Sequence, residues 1–320
     1  MLFPHFWLSL ILGFLVVSGG VCAQNFPTKP IRILTGEPGA SLDVAARLVA
    51  QGLTGNLGQQ VIVENRGGAS GAMAAQTVAR ASPDGYTMIL YGSTLWIAPL
   101  MQKLPYDPVR DFAPITLVTM QPNILVVHPS VQAKSVSELI ALAKARPGAL
   151  NFATGQLGST NHLAALLFKS MAGINIVHIP YKGTGAALPD LVAGRVQMMF
   201  PNAGAVTDLL KSGRLRALAV TSLQPSKLVP DLPTVTATGL PGYESIATQG
   251  IFAPIRTPPA IVNRLNQEIV HVLNLPDVKE KFIATGVEVV GNSPKQFAAT
   301  VKSDIERLGK VIREAGIRAE

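Results

Sequence analysis

The chain has 320 residues, a formal net charge of +8 and a single cysteine, Cys22. A lone cysteine excludes a disulfide framework and a zinc-thiolate centre, and a chain this long divides into two lobes by default. Lys and Arg are spread from Lys29 to Arg318 with no basic run interleaved with aromatics, which speaks against nucleic acid as a partner.

Residues 6–17 form an almost unbroken apolar run, followed by small residues and Val21-Cys22-Ala23. The run is shorter than the roughly 20 residues a bilayer crossing needs, so residues 1–23 read as a signal peptide cleaved after Ala23 rather than as an anchor. Cys22 follows Val21, where a lipid-modified cysteine would want a small residue. The leader holds no Lys, Arg, Asp or Glu, so the whole positive charge belongs to the mature chain, which then contains no thiol. These features predict a soluble, exported, periplasmic protein whose field concentrates anions.

Downstream, Ile31-Arg32-Ile33-Leu34 reads as a buried strand. Val44, Ala45, Leu48, Val49 and Leu53 then recur at helical spacing until Gly55 and Gly58 close the helix. Strand 60–64, helix 72–81, the turn Ser82-Pro83-Asp84-Gly85 and strand 86–91 follow. A second set repeats the scheme: strand 151–153, helix 160–171, strand 175–179, helix 186–193, strand 196–200, helix 205–211 and strand 216–220. Such alternation predicts an α/β protein with mostly parallel sheets. Two apolar stretches, 115–127 and 248–254, can each pass between the lobes as hinge segments. Helices 259–273 and 294–315 then return to the first lobe, which comprises residues 24–120 with 250–320; residues 121–249 make the second.

Several strands end in small or polar residues just before a helix: Gly39-Ala40-Ser41, Gly92-Ser93-Thr94, Gly155 to Thr160, Gly183-Thr184-Gly185 and Asn202-Ala203-Gly204. Any one such turn is ordinary helix capping. Five of them on two similar lobes point to a shared cleft, where uncapped N–H groups at helix starts suit a carboxylate.

The segments KPIRILTGEPGASLDVAARLVAQGLTGNLGQQVIVENRGGASG, ASPDGYTMIL, NFATGQLGSTNHLAALLF, VHIPYKGTGAALPDLVAGRVQMMF, LRALAVTS and LPTVTATGLPGYES resemble the Bug family, the extracytoplasmic solute receptors of tripartite tricarboxylate transporters. The resemblance runs through the chain in order, and PYKGTG with the ENRGG segment is its most specific part. It implies a type II periplasmic-binding-protein fold, two α/β lobes joined by a two-segment hinge and closing on a small organic acid, a mono- or dicarboxylate. It also implies a monomer that serves the membrane permease subunits. Carried onto this chain, ligand contacts from the first lobe fall on Pro38, Gly39, Ala40, Ser41, Asp43, Ser93 and Thr94. Those from the second fall on Thr154, Gly155, Gly158, Ser159, Thr160, His162, Tyr181, Lys182, Gly183, Thr184 and Asn202.

The chain departs from the family pattern at Gly36, where the first loop usually carries an aromatic, with Glu37 beside it. It departs again at Thr248-Gln249, in place of an aromatic pair, and at Pro201, in place of an acid. Fewer stacking surfaces favour polar aliphatic acids over aromatic ones, unless Trp96 or Tyr91 supplies a ring. Asp43 suits a ligand amine or hydroxyl as well as it suits the first turn of a helix. Lys182, alone in a Gly-rich turn, is as expected of a solvated cation.

The residues offer four alternatives. Ser159 and His162 share a helix face, but no orienting acid and no G-x-S-x-G elbow accompany them, so a secreted hydrolase is disfavoured and His162 reads as a helix-start residue bonded to its loop. His128 and His178 sit in apolar strands without an evident partner, and zinc needs three or four convergent ligands. Gly183-Thr184-Gly185 lacks the rest of a dinucleotide fingerprint. No catalytic residue, metal or cofactor is therefore expected. A receptor that docks on a sensor kinase would use the same closure as a transport receptor, and the sequence does not separate the two.

Overall fold

The computed structural model describes residues 26–66, 71–155, 158–314 and 316. The leader 1–23, the Gly67-Gly68 pair of the ENRGG segment and residues 156–157 lie outside them. The elements in chain order are β1 (Ile31–Thr35), α1 (Ser41–Leu57), β2 (Val61–Asn65), α2 (Ala72–Ala79), β3 (Thr87–Gly92) and the short α3 (Thr94–Ile97). There follow β4 (Phe112–Pro122), β5 (Ile124–Val127), α4 (Val136–Ala145), β6 (Asn151–Thr154), α5 (Thr160–Ala172), β7 (Val177–Pro180) and α6 (Thr184–Val192). The chain ends with β8 (Met198–Met199), α7 (Ala203–Lys211), β9 (Arg216–Val220), α8 (Val235–Thr238), β10 (Ile246–Pro254), α9 (Pro259–Asn274), α10 (Pro276–Ala284), β11 (Glu288–Val289) and α11 (Pro294–Glu314).

Two sheets result, of order β11-β4-β10-β3-β1-β2 and β7-β6-β8-β5-β9. The expectation of mostly parallel sheets needs correction: β1 lies parallel to β2 and β3, but β10 runs antiparallel to both β3 and β4, and β5 is antiparallel to β8 and β9. The reason is topological. Strands that leave one sheet for the other must return in the opposite sense, and apolar composition does not record strand direction.

Apolar spacing sets the helices. α1 runs through Gly55 and stops at Gly58, burying Ala45, Val49 and Leu53 with α9 on one face of the first sheet. The opposite face carries Leu34, Ile89, Leu117 and Phe252 under α2 and α11, in a core that continues into α4, α5, Phe152 and Leu125 of the second lobe. α11 buries Phe297, Val301, Asp304 and Leu308 at four- and three-residue steps. Its Phe297 lies against Gly250 so closely that a β-carbon there would sit 2.2 Å from the ring. Trp96, fully buried, packs at 5.9 Å from both Phe252 and Phe297, and each such ring contributes on the order of 2 kcal/mol. No helix among the described residues is long and apolar enough to cross a membrane.

The chain crosses between the sheets at Asn123, where β4 ends and β5 begins, and returns at Ser245, beside the Ile246–Pro122 pair. Thr221, fully buried, knots these crossings. Its Oγ1 accepts the Asn123 N–H at 2.8 Å and faces the Asn123 carbonyl at 3.0 Å and the Ser245 carbonyl at 2.6 Å as donor, while its backbone carbonyl accepts from Ser245 N. Replacing it with the isosteric Thr221→Val orphans the Asn123 N–H in a buried place. We expect a loss of about 1–3 kcal/mol, read from chemical denaturation of the purified protein.

Candidate functional site

Sequence-predicted contacts of the first lobe lie at the ends of β1 and β3. Pro38, Gly39, Ala40 and Ser41 are exposed at the start of α1, which has no side-chain cap. Ser41 Oγ accepts from Gln249 Nε2 at 3.2 Å, tying this helix start to β10. Ser93, buried, donates its N–H to the Thr248 carbonyl at 2.9 Å and precedes the exposed Thr94.

Asp43 is buried, and all of its observed bonding is internal. Oδ2 accepts Gly39 N at 2.9 Å and Arg47 Nε at 3.0 Å, and Oδ1 accepts Asn65 Nδ2 at 2.8 Å. Burial opposes its ionisation, but Arg47, Gly39 and Asn65 outweigh that and hold the carboxyl at about 2. The structure thus gives Asp43 the work of fixing the first loop on α1.

In the second lobe the tips are fastened to one another. Asn161, a buried residue that motif spacing passes over, accepts from Ser159 Oγ and donates to Thr184 Oγ1 at 2.9 Å. Gly155 allows this approach, since a β-carbon there would lie 3.2 Å from Thr184 N. His162 accepts Gly158 N on Nδ1 at 3.0 Å, the loop bond expected of a helix-start histidine. Its ring stacks on His178 at 4.7 Å, which in turn stacks on Phe152 at 4.9 Å and bonds Thr154 Oγ1 at 2.7 Å. His178 therefore has close partners, contrary to expectation, because parallel pairing sets β7 beside β6. Burial, helped by His178, depresses His162 to about 4, so it is neutral near pH 7. Among the described residues no group of three or more potential ligands could hold a metal ion.

Some predicted side chains are turned elsewhere. The Tyr181 hydroxyl donates to Asp190 Oδ2 at 2.6 Å, and Lys182 is exposed. Asn202 caps α7 by accepting Ala205 N and forms an isolated bridge with Asn123 at the crossing. Trp96 and Tyr91 do not offer stacking surfaces: Trp96 belongs to the core, and Tyr91 is buried against Gly71.

One cavity collects tips from both lobes. Its lining includes Ser93, Thr94 and Met101, Gly158 and Thr160, Ser245 and Ile246, and Asp304 and Arg307 of α11. Of the lining residues, Arg307 has a buried polar atom, Nε, without a protein partner, as do Thr248 at Oγ1, whose carbonyl accepts from Ser93, and Asn123 at Nδ2, at the crossing. Hydroxyls, helix-start N–H groups and unmatched donors around one gap suit an oxygen-rich anion.

Known proteins resemble this chain over nearly its whole length. Residues 45–317 match the family described as "Tripartite tricarboxylate transporter family receptor". The protein BugT of Bordetella pertussis is 36% identical over 319 residues, 97% of this chain and 98% of that one. Among solved structures, Rpa4515 of R. palustris with adipate is 36% identical with a TM-score of 0.69, covering 92% of this chain and 99% of that one. MatC from Rhodopseudomonas palustris with bound malate is 32% identical with a TM-score of 0.66, covering 90% and 100%.

The Asp43 network carries a pH signature. A carboxyl depressed from 3.8 to about 2 on folding contributes stability above its unfolded value and loses it as pH falls through about 2. Asp43→Asn should therefore cost about 2 kcal/mol near neutrality, with the gap from wild type closing toward pH 2 in urea unfolding.

Proposed function

Because the chain belongs to the tripartite tricarboxylate transporter receptor family, with a two-lobed periplasmic-binding-protein fold, we propose that it captures a small organic carboxylate between its lobes outside the cytoplasm. It then delivers the ligand to the permease subunits of a tripartite tricarboxylate transporter. The observation that supports this most is the cavity joining Ser93 and Thr94 of one lobe to Gly158 and Thr160 of the other. A ligand held by both sets of tips stabilises the arrangement in which they meet, so binding energy drives closure.

In this reading the acid group is received by the start of α1 at residues 38–41, by Ser93 and Thr94, and by the 154–160 and 183–184 tips, with Asn202 at the base. The buried Trp96 and Tyr91, together with Gly36 and Thr248-Gln249, leave the site poor in aromatic surface. Adipate and malate, each bound by a relative of similar sequence, are the kind of polar aliphatic acid that fits. Asp43 and His162 support the tips rather than touch the ligand. Export with cleavage after Ala23 belongs to the same proposal and is checked by the N-terminal sequence of the secreted protein.

The test is a thermal-shift screen of the mature protein against succinate, malate, glutarate, adipate and aromatic acids. A native-state ligand at a hundred times its Kd adds about 2.7 kcal/mol, a clear shift in Tm, expected for an aliphatic acid. Thr160→Trp should abolish that shift while leaving the ligand-free melt near wild type. No shift with any acid, or an undiminished shift in the variant, counts against the assignment.

A further inference from the structure

α11 carries a charged residue inside its apolar stripe: Asp304 is 7% exposed, between Val301 and Leu308. A buried carboxylate is costly unless bonded, and its partners trace a path across the molecule. Oδ2 accepts Trp96 Nε1 at 3.1 Å, and Oδ1 accepts Arg307 Nη2 at 2.8 Å. Arg307 Nη1 then donates to Glu244 Oε2 at 3.3 Å.

Both ends of this path lead to the tips. Trp96 donates its backbone N–H to the Ser93 carbonyl at 3.1 Å, in the turn that carries Ser93 and Thr94. Glu244 sits between Ser245, bonded to Thr221, and Tyr243, fully buried, whose hydroxyl donates to the Ala164 carbonyl of α5 at 2.9 Å. The ring of Tyr243 meets Phe168 of the same helix edge-on at 6.0 Å, and α5 begins at the Thr160 tip.

We propose that Asp304 and Arg307 are positioning residues of the ligand site: through Trp96 on one side and Glu244 on the other, they set the spacing at which the two lobes present their tips. The proposal rests on the receptor reading for its ligand, but the relay is a property of the chain itself. Arg307 and Glu244 side chains are 21% and 25% exposed, so solvent screens their pair only in part. Arg307 Nε is buried without a partner, leaving the guanidinium held by Asp304 and Glu244 alone. Burial pushes both carboxyls above their ordinary range against the pull of Arg307, which the Trp96 hydrogen bond joins at Asp304.

The test uses Arg307→Lys, which keeps the charge and loses the two-pronged geometry, and Glu244→Gln, which keeps the shape. The mature chain has no cysteine, so Asn56→Cys and Lys211→Cys, on exposed positions of α1 and α7, place one spin label on each lobe. Without ligand, both variants should give a label-to-label distance distribution shifted or broadened relative to wild type. With adipate or malate as probe, each should bind about tenfold more weakly or worse, and in the double variant the losses should be less than additive. Wild-type distances in both variants overturn the proposal, as does wild-type affinity in both. If wild type itself binds neither acid, that failure falls on the ligand assignment, and the distance measurement alone decides the relay. Far-ultraviolet circular dichroism confirms that each variant is folded.

Discussion

The structure depends on the antiparallel pairing of β4 with β10, which runs from Pro254 opposite Phe112 to Ile246 opposite Pro122 with register shifts at Gln249/Gly250 and Ile251/Phe252. It brings residues more than a hundred positions apart in sequence to the same end of one sheet. Because the two strands end together, the chain leaves at Asn123 and returns at Ser245 side by side, and one hydroxyl, that of Thr221, serves both crossings. The two crossings thus form one joint, beside a core that runs from the first sheet into α4 and α5 of the second lobe. Everything that brings the tips together, from the cavity to the relay behind it, relies on that joint being fixed.

Electrostatics at the tips follows a division of labour. Two acids beside the tips are neutralised within their own lobe, Asp43 by Arg47, Asn65 and Gly39, and Asp190 by Tyr181 and Arg195, whereas Arg307, which lines the cavity, bonds Asp304 of its own lobe and Glu244 of the other. In the proposed receptor, what remains for a ligand is the start of α1, without a side-chain cap, together with hydroxyls and small side chains. Such groups recognise the shape and charge of a carboxylate, and the cation in the cavity wall, Arg307, is already held by Asp304 and Glu244. His162 and His178, stacked on Phe152, give the second-lobe tip an uncharged floor at neutral pH.

Much of this was legible in the sequence because local pattern encodes it. The 3.6-residue spacing in α1, α5 and α11 and the turn residues before each helix depend on near neighbours only. The apolar stretch 115–127 includes the crossing at Asn123, whereas 248–254 lies inside β10, just past the return at Ser245. Strand sense was not legible: β4 and β10 are apolar in either direction. Nor were contacts between distant residues, such as Trp96 with Asp304, His178 with His162, or Asn161 with Thr184. Trp96 illustrates the difficulty, since an aromatic beside a predicted tip looks like a stacking surface until the core formed by Phe252 and Phe297 claims it. The one local clue to the relay was Asp304, an acid where the helical period of α11 calls for an apolar residue.

The placement of β10 between β3 and β4 constrains assembly in time as well as in space. The second sheet uses strands 124–220 alone, whereas the first lacks an inner strand until residues 246–254 arrive. A chain emerging from its N-terminus can complete the later-encoded sheet before the earlier one, with one edge of β3 and one of β4 waiting for β10. Non-local pairing of this kind is slow, and unpaired apolar edges invite aggregation. An exported chain with this topology therefore spends its most vulnerable interval between the appearance of its first strand and that of its tenth.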